Sequence, residues 1–443
     1  MELRASGENL GYIVLKKLKN MGINLDYCVE ITTDGCSVMT SNDCGAVKTV
    51  VDEAKNATYC PCYNHKLNLS ISKSSTVQEV RNSVWLMKEV IAFFKASSKR
   101  SRILQNVMGH QLHGLCETRW VERHDRVIQF QSCISKIIET LESVAKWKDI
   151  SAAAKTKSLK SSLSNGEFIV SMMCLANLLT CTIQLSSFFQ KTQTDMKSAN
   201  DLLQETLTIL HRKRDKSVEV FSNIFEEAKN IADEIDAEIK VPRLANVQKN
   251  RSNYPCDSAE DYYRKAIFIP LLDSVIEDLK FRFPEETLNL FDLFVLFPTN
   301  GDESECEEAL NRLSNKYAYL FNKSTDIFKK MLSSELEFYR LHCENKKITS
   351  CSALELLDHC DDEVFPIVTM LLKILATLPI SSCNAERSFS SLRRIKDWLR
   401  STMSKDRLDG LALMNIHWNV KINVEKVIDR FAKNRNHRID FVL

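Results

Sequence analysis

The 443-residue sequence has few residues that interrupt helices, with only ten glycines and eight prolines. Because glycine and proline mark turns and helix ends, their scarcity predicts long helices joined by few tight turns. The charge balance is also small: 60 Lys and Arg against 58 Asp and Glu leave +2, so no overall basic excess indicates nucleic-acid binding. The length allows two or three domains of ordinary globular composition.

The N-terminal sequence MELRASGENLG has no apolar leader segment. The longest apolar runs, such as IVTMLLKILATLPI at 367–380, are interrupted by Lys373 and are too short to span a bilayer. Fifteen cysteines without regular spacing favour reduced thiols over a disulfide framework. We therefore expect a soluble, intracellular protein with no membrane partner.

The periodicity of apolar residues changes near residue 125. Before it, helical and extended patterns alternate as in α/β folds, with strands at 27–33 and 57–62 and helices at 8–20, 45–54, 64–73 and 76–98. Two strands are too few for an independent sheet. From about 125 to 360 the pattern predicts helices alone, with the clearest loop at 241–258, and 363–420 predicts amphipathic helices.

Two carboxylates stand at positions where α/β proteins hold metal ions. Asp34 ends the first predicted strand and precedes Gly35, and Glu386 lies in the first turn of a predicted helix. Asp-Gly is also a common turn dipeptide, and a glutamate in the first turn is stabilised by the helix dipole. Each carboxylate alone therefore allows metal binding or a local structural role.

The stretch Cys60-Pro-Cys62-x-x-His65 also has two interpretations. The C-x-x-H spacing can supply two zinc ligands, but the sequence offers no matching pair of Cys or His to complete the site. Alternatively, His65 at a helix start holds the junction between strand and helix near Asp34. We favour this structural role for Cys62 and His65.

The segment CETRWVERHD at 116–125 surrounds one tryptophan with charges of both signs. Trp120 beside Arg119 could stack on an unpaired base, worth about 1–3 kcal/mol per base, or it could be a core residue. The run KASSKRSR at 95–102 has four basic residues that could contact phosphate. Residues 387–443 contain 13 Lys or Arg against six Asp or Glu, which fits phosphate contact or a solvated helix face.

The order of these motifs resembles the hAT (hobo/Ac/Tam3) family of cut-and-paste DNA transposases. The chain runs through TTDG, C-x-x-H, ETRW, a long helical segment and NAERSFS. Residues 384–417 are similar to the family's C-terminal dimerisation region along their whole length, and the resemblance covers essentially all of the chain. It is closest to domesticated or degenerate members, including zinc-finger MYM-type relatives.

The resemblance implies a mixed α/β, predominantly helical fold. A truncated ribonuclease-H-like core is interrupted by a large all-helical insertion and followed by C-terminal dimerisation helices. The implied domains are a partial core at 1–125, the insertion at 126–355, and a dimerisation region at 356–443 that completes the core.

The resemblance also assigns roles to the candidate residues. In the family an Asp-Asp-Glu triad holds two Mg²⁺ or Mn²⁺ ions, and Asp34 and Glu386 match its second and third members. Cys62 and His65 match the family's C-x-x-H, and Trp120 matches the aromatic residue that stabilises a flipped base or hairpin.

We expect the triad to be incomplete, because the family's first strands and first Asp lie upstream of a helix that begins near residue 8. Asp26 is a poor replacement, since in an extended chain it lies about 26 Å from Asp34. No cofactor is therefore expected for the chain as given. Mg²⁺ or Mn²⁺ is expected only in an active form that contains the first Asp.

The implied function is that of a domesticated or degenerate transposase-like protein without catalytic activity as given. It would act in the nucleus through homodimers or higher oligomers, with DNA as a second candidate partner. Interfaces between permanently associated subunits are rich in apolar residues. The candidate dimerisation residues are therefore those on apolar stripes of 386–420, namely Phe389, Leu392, Trp398, Leu411 and Trp418. The alternatives are an active transposase whose first Asp lies upstream, and a protein-interaction scaffold.

Overall fold

A computed structural model of the chain describes residues 6–73, 77–115, 120–191, 196–242, 256–283, 291–298, 303–349, 352–379, 381–396 and 402–432. Over these residues the protein is predominantly helical with two short strands, which confirms the predicted mixed and mainly helical class. The chain forms two compact units, residues 1–381 and 382–443. The domain boundaries expected near residues 125 and 355 stay predictions.

The first unit contains strands β1 (Glu30–Thr33) and β2 (Thr58–Pro61). Its helices are α1 (Gly7–Asn20), α2 (Ser37–Thr40), α3 (Ala46–Glu53), α4 (Tyr63–Lys73), α5 (Gln78–Lys95), α6 (Ser98–Met108), α7 (Trp120–Ser132), α8 (Ile134–Ala145), α9 (Ile150–Leu163), α10 (Gly166–Phe189), α11 (Met196–Asp215), α12 (Ser217–Glu234), α13 (Ala259–Tyr263), α14 (Ile269–Arg282), α15 (Glu303–Tyr317), α16 (Thr325–Lys346), α17 (Ala353–Leu357) and α18 (Pro366–Thr377). The second unit contains α19 (Cys383–Ile395), α20 (Lys405–Ile416) and α21 (Val424–Ala432).

The two strands pair in parallel, from Glu30 opposite Thr58 to Thr33 opposite Pro61. Parallel neighbours need a crossover connection, and here α3 lies between them in the chain. The first strand starts later than predicted, because Leu25–Tyr27 form a 3₁₀ turn whose amide at Asp26 is capped by the Asn24 side chain. The hydroxyl of Thr32 donates a hydrogen bond to the Pro379 carbonyl at 3.0 Å, so the end of the first unit lies beside β1.

Helix α1 approaches α3 closely at a glycine. A Cβ on Gly11 would lie 2.6 Å from the Cβ of Thr49, which is nearer than real side-chain atoms come. Only the absence of a side chain at this position lets the two helices pack at this distance. The contact holds α3, and with it the crossover between the strands, against the N-terminal helix.

Helix α10 is the central element of the helical part of the first unit. It packs against α4, α5, α7, α9, α11 and α12, and sixteen of its residues are buried. A helix that is apolar on all sides is expected inside a protein core or a membrane. By length and composition α10 could cross a bilayer, so the prediction that the longest apolar runs are too short to span one was wrong. Within the protein 72% of its apolar window is buried, as in the core helix of a folded unit.

Candidate functional site

The carboxyl ends of β1 and β2 lie at one edge of the sheet, because the strands are parallel. Asp34 directly follows β1 and Cys62 directly follows β2. The amide of Cys62 donates to the Thr33 carbonyl at 3.0 Å, which extends the pairing to this edge. The carboxyl edge of a parallel sheet is where α/β proteins place their ligands. The fold thus brings two of the predicted motifs together.

The turn after β1 is packed against the imidazole of His65. A Cβ on Gly35 would lie 2.9 Å from His65 Cδ2, so any other residue here would require the His65 ring to move. The Cys62 sulfur accepts a bond from the His65 amide at 3.5 Å, and Cys62 is fully buried. An Asp34 carboxylate oxygen accepts a bond from the Cys36 amide at 3.4 Å, as in an Asp turn. Contacts of this kind are what the predicted structural role of Cys62 and His65 requires.

A second carboxylate lies on β1 itself, and the sequence analysis missed it. Burial raises the pKa of Glu30 to about 7, while a hydrogen bond from the Cys60 thiol and the Lys316 ammonium oppose the rise. Burial also raises the pKa of Cys60 and lowers that of Lys316. The available signal was a glutamate between two β-branched apolar residues, in VEI at 29–31. Polar residues in such a short strand point either to solvent or to a buried partner, and periodicity alone does not distinguish these positions.

The remaining residues of the predicted site are only partly described. Trp120 is the first residue of α7 and Glu386 lies on α19 in the second unit, but the side chains of both are outside the described part. Arg119 lies outside the described residues altogether. The structure therefore brings Asp34, Cys62 and His65 to one edge and leaves the roles of Glu386, Arg119 and Trp120 as predictions.

The described donors do not fit a centre for two metal ions. Among the residues that the structure describes, no three His, Cys, Asp or Glu side chains converge on one point. Asp34 already accepts a backbone hydrogen bond within its own turn. Hard divalent cations need several oxygen ligands around each ion. We therefore derive no metal-dependent step from this edge of the sheet.

The predicted dimerisation residues of the second unit differ in exposure. Phe389 is 69% exposed and Trp418 is 83% exposed, while Leu392 and Leu411 are half-buried. Trp398 lies outside the described residues. Helices α20 and α21 have no buried residue. Exposed large apolar side chains recur along this part of the chain, at Leu413, Met414, Ile416, Trp418, Val420, Ile422, Val424, Val427, Ile428 and Phe431.

Comparison with known proteins identifies the C-terminal part. Residues 335–420, from within α16 to just after α20, match the C-terminal dimerisation region of the hAT family. The chain is similar to the 52 kDa repressor of the inhibitor of the protein kinase of Homo sapiens and of Mus musculus, with 26% identity over 435 and 434 residues. Each match covers 93% of this chain but 56% of the relative, so the chain spans about half the length of these curated relatives. The resemblance is thereby confirmed: residues 335–420 are similar to the C-terminal dimerisation region of the hAT family.

Proposed function

We propose that this chain is a transposase-derived, nuclear protein that works by self-association through its second unit. The observation that carries the proposal is the row of exposed apolar side chains from Phe389 to Phe431, much of it inside the matched dimerisation region. Apolar surface of this extent, concentrated in one segment, is typical of an interaction site. The relatives are named as a repressor, and we extend to this chain only an action through binding.

The proposal predicts that the purified chain is an oligomer in light scattering or analytical ultracentrifugation. The double change Phe389→Glu and Trp418→Glu places charges on the exposed apolar residues and is expected to reduce the mass by half or more. The matched control is Ile150→Glu with Phe281→Glu, two exposed apolar residues of the first unit outside the matched region. An unchanged mass in the Phe389/Trp418 variant would refute self-association through the second unit.

We propose further that β1, α3, β2 and α4 belong to a ribonuclease-H-like core that is catalytically inactive in the chain as given. Two of the three triad members carried over from the resemblance, Asp34 and Glu386, are present in the sequence. The test is Mg²⁺- or Mn²⁺-dependent nicking of duplex DNA, for which we expect no activity above that of the Asp34→Asn variant. Nicking that depends on Asp34 would instead support the alternative of an active transposase.

DNA contact is a second proposed activity, and a polar cavity beside α6 favours a specific surface for it. The cavity has a volume of about 540 Å³, and none of the described residues of its wall is acidic; they are Lys95, Ser98, Ser101, Arg102, Gln105 and Asn106. Two cations among neutral hydrogen-bond donors match the chemistry of a phosphate backbone. The two remaining cations of the run are engaged with aromatic rings, Lys99 over Trp147 and Arg100 over Phe93.

The DNA proposal predicts an affinity that falls with salt, because phosphate contacts release counterions. Changing Lys95→Glu and Arg102→Glu should weaken binding to duplex DNA at least tenfold in fluorescence anisotropy and reduce the salt dependence. The control Lys16→Glu with Lys17→Glu makes the same change in net charge on the exposed side of α1. Equal binding by both variants would refute this surface, and no salt-dependent binding by the unchanged chain would favour the protein-interaction scaffold.

A further inference from the structure

Helix α16 has two apolar faces, and the described part of the chain covers only one of them. Its inner face packs inward through Phe328, Leu332, Leu336, Tyr339 and Cys343, all of them buried. The centre of the α16 outer face lies about 140° from the centre of the inner face around the helix axis, at about 100° per residue. It consists of Ile327, Met331, Ser334, Phe338, Leu341 and Asn345.

The α16 outer face carries large exposed apolar side chains. Phe338 is 68% exposed, Leu341 is 55% exposed, and Ile327 and Met331 are exposed as well. The six positions are spaced alternately by four and three residues, which is the spacing of a seam between two packed helices. A helix that only covered its own unit would carry polar residues on this side. The outer face is therefore built to pack against another helix.

A groove of about 800 Å³ runs beside the outer face, between α16 and the segment before α18. Its far wall includes Val364, which is exposed, and Phe365. The groove wall is fixed, because the Glu335 carboxylate accepts a bond from the Val368 amide at 2.7 Å near the start of α18. A docked helix would meet a preformed surface that offers apolar contact.

We propose that the α16 outer face is a second self-association surface, on which α16 of another copy of this chain packs. The choice of partner rests on the proposed self-association of the second unit. The face is continuous with the matched dimerisation region, which begins at Glu335 and includes Phe338, Leu341 and the groove wall at Glu363–Pro366. A twofold axis near residue 336 places each Phe338 over the small Ser334 of the other copy, and large side chains pack well over small ones.

Two different twofold surfaces on one chain have a consequence for assembly. One surface alone builds a dimer, whereas two surfaces with different axes join dimers into larger assemblies, of which a tetramer is the smallest closed one. We therefore expect particles of four copies, in which the second unit forms one kind of contact and α16 forms the other. Loss of either surface should leave a dimer, and loss of both should leave a monomer.

The experiment measures mass by sedimentation for the full chain and for variants of each surface. Phe338→Glu with Leu341→Glu should reduce four copies to two, as should Phe389→Glu with Trp418→Glu, and the combination should give one copy. Ser334→Glu is a milder variant that keeps every apolar residue of the α16 outer face and should also give two copies. Phe281→Glu, a more exposed aromatic residue outside the groove, is the matched control and should leave four. Circular dichroism verifies that the variants are folded.

The outcomes separate this inference from the proposed function. If both α16 variants keep the mass of the unchanged chain, the α16 surface is refuted, whatever the second unit does. If the α16 variants reduce the mass and the Phe389/Trp418 variant does not, the α16 surface stands and the proposed role of the second unit fails. An unchanged chain that sediments as a monomer would overturn both.

Discussion

Helices α10 and α21 both carry large apolar side chains, but those of α10 are mainly buried and those of α21 are exposed. Helix α10 has sixteen buried residues and lies among six other helices of the first unit. Helix α21 has none buried, although Val424, Val427, Ile428 and Phe431 form one stripe at helical spacing. The stripe of α21 is only one face wide, whereas α10 is apolar all round. An apolar helix thus contributes to the stability of its own unit in one region and is available for association in the other.

The difference has an energetic meaning. Fully burying a large apolar side chain is worth roughly 1.5–3 kcal/mol, and a helix gains this only where neighbours cover it. Helix α10 has this gain in the single chain. Under the proposals above, helix α21 and the α16 outer face gain it on association. Mutations in the two regions should therefore affect two different measurements, unfolding and association.

The largest expected effect is on unfolding, from Phe189→Ala at the end of α10. Phe189 is fully buried and its ring packs edge-on against Tyr63, with centroids 5.7 Å apart. Truncation leaves a cavity next to α4, which carries His65 of the candidate site, and should cost about 3–5 kcal/mol. Denaturant unfolding measures the loss. The matched control Phe281→Ala, at an exposed position, should change stability by less than about 0.5 kcal/mol. Similar losses of unfolding free energy for both variants would contradict the role of α10 as a core helix.

A smaller effect is expected for the partly buried carboxylate of β1. The pKa of Glu30 is raised from 4.5 to about 7, so the folded protein holds a proton that the unfolded chain releases in this interval. Stability therefore falls as the pH rises from about 4.5 to 7 and stays lower above it. Glu30→Gln removes this cost and should stabilise the protein by about 1–3 kcal/mol at pH 8, with little of this gain left near pH 4.5.

The control for this prediction lies in the second unit. Glu425 on α21 is exposed, and Glu425→Gln should change stability by less than about 0.5 kcal/mol at either pH. Denaturant unfolding of both variants at the two pH values makes the test. If Glu30→Gln stabilised the protein equally at both pH values, burial of the ionised carboxylate would not be the cause. That cost exists only where the carboxyl group is ionised in the folded protein.

The smallest expected effect on unfolding is that of Trp418→Ala. Trp418 is 83% exposed, so its truncation should change the unfolding free energy by less than about 0.5 kcal/mol at a concentration where the chain is dissociated. The same change should weaken association at least tenfold, which is about 1.4 kcal/mol. Unfolding and sedimentation of one preparation give both values. A loss above about 2 kcal/mol in unfolding would mean that Trp418 supports its own unit and not an interface.

Much of the secondary structure could be predicted from local patterns. The predicted helix 45–54 corresponds to Ala46–Glu53, and the predicted strand 57–62 corresponds to Thr58–Pro61. The predicted helix 167–190 corresponds to Gly166–Phe189, capped by the Asn165 side chain. Caps, turns and apolar spacing are local in sequence, and for this reason these elements could be predicted. The predicted strand 27–33 begins too early, since the observed strand is Glu30–Thr33. Residues Leu25–Tyr27 instead form a 3₁₀ turn, which depends on one hydrogen bond from the Asp26 amide to the Asn24 side chain.

Only part of the candidate site could be predicted from the sequence, because some of its contacts join distant parts of the chain. The end-of-strand positions of Asp34 and Cys62 were predictable, and a parallel pairing then places both at one edge. The contact of His65 with Gly35 and the burial of Glu30 were not predictable, because each depends on residues more than two dozen positions away in the chain. The relation of Asp34 to Glu386 stays a prediction from the resemblance.

The sequence alone determined the class of this protein, the positions of most helices and strands, and the resemblance to the hAT family. These follow from glycine and proline content, from apolar periodicity and from motifs that are local in the chain. Only the tertiary structure decided that α10 is a core helix, that Glu30 is partly buried and that the α16 outer face is uncovered. Periodicity specifies that a helix has an apolar face, whereas what covers that face depends on contacts between distant parts of the chain.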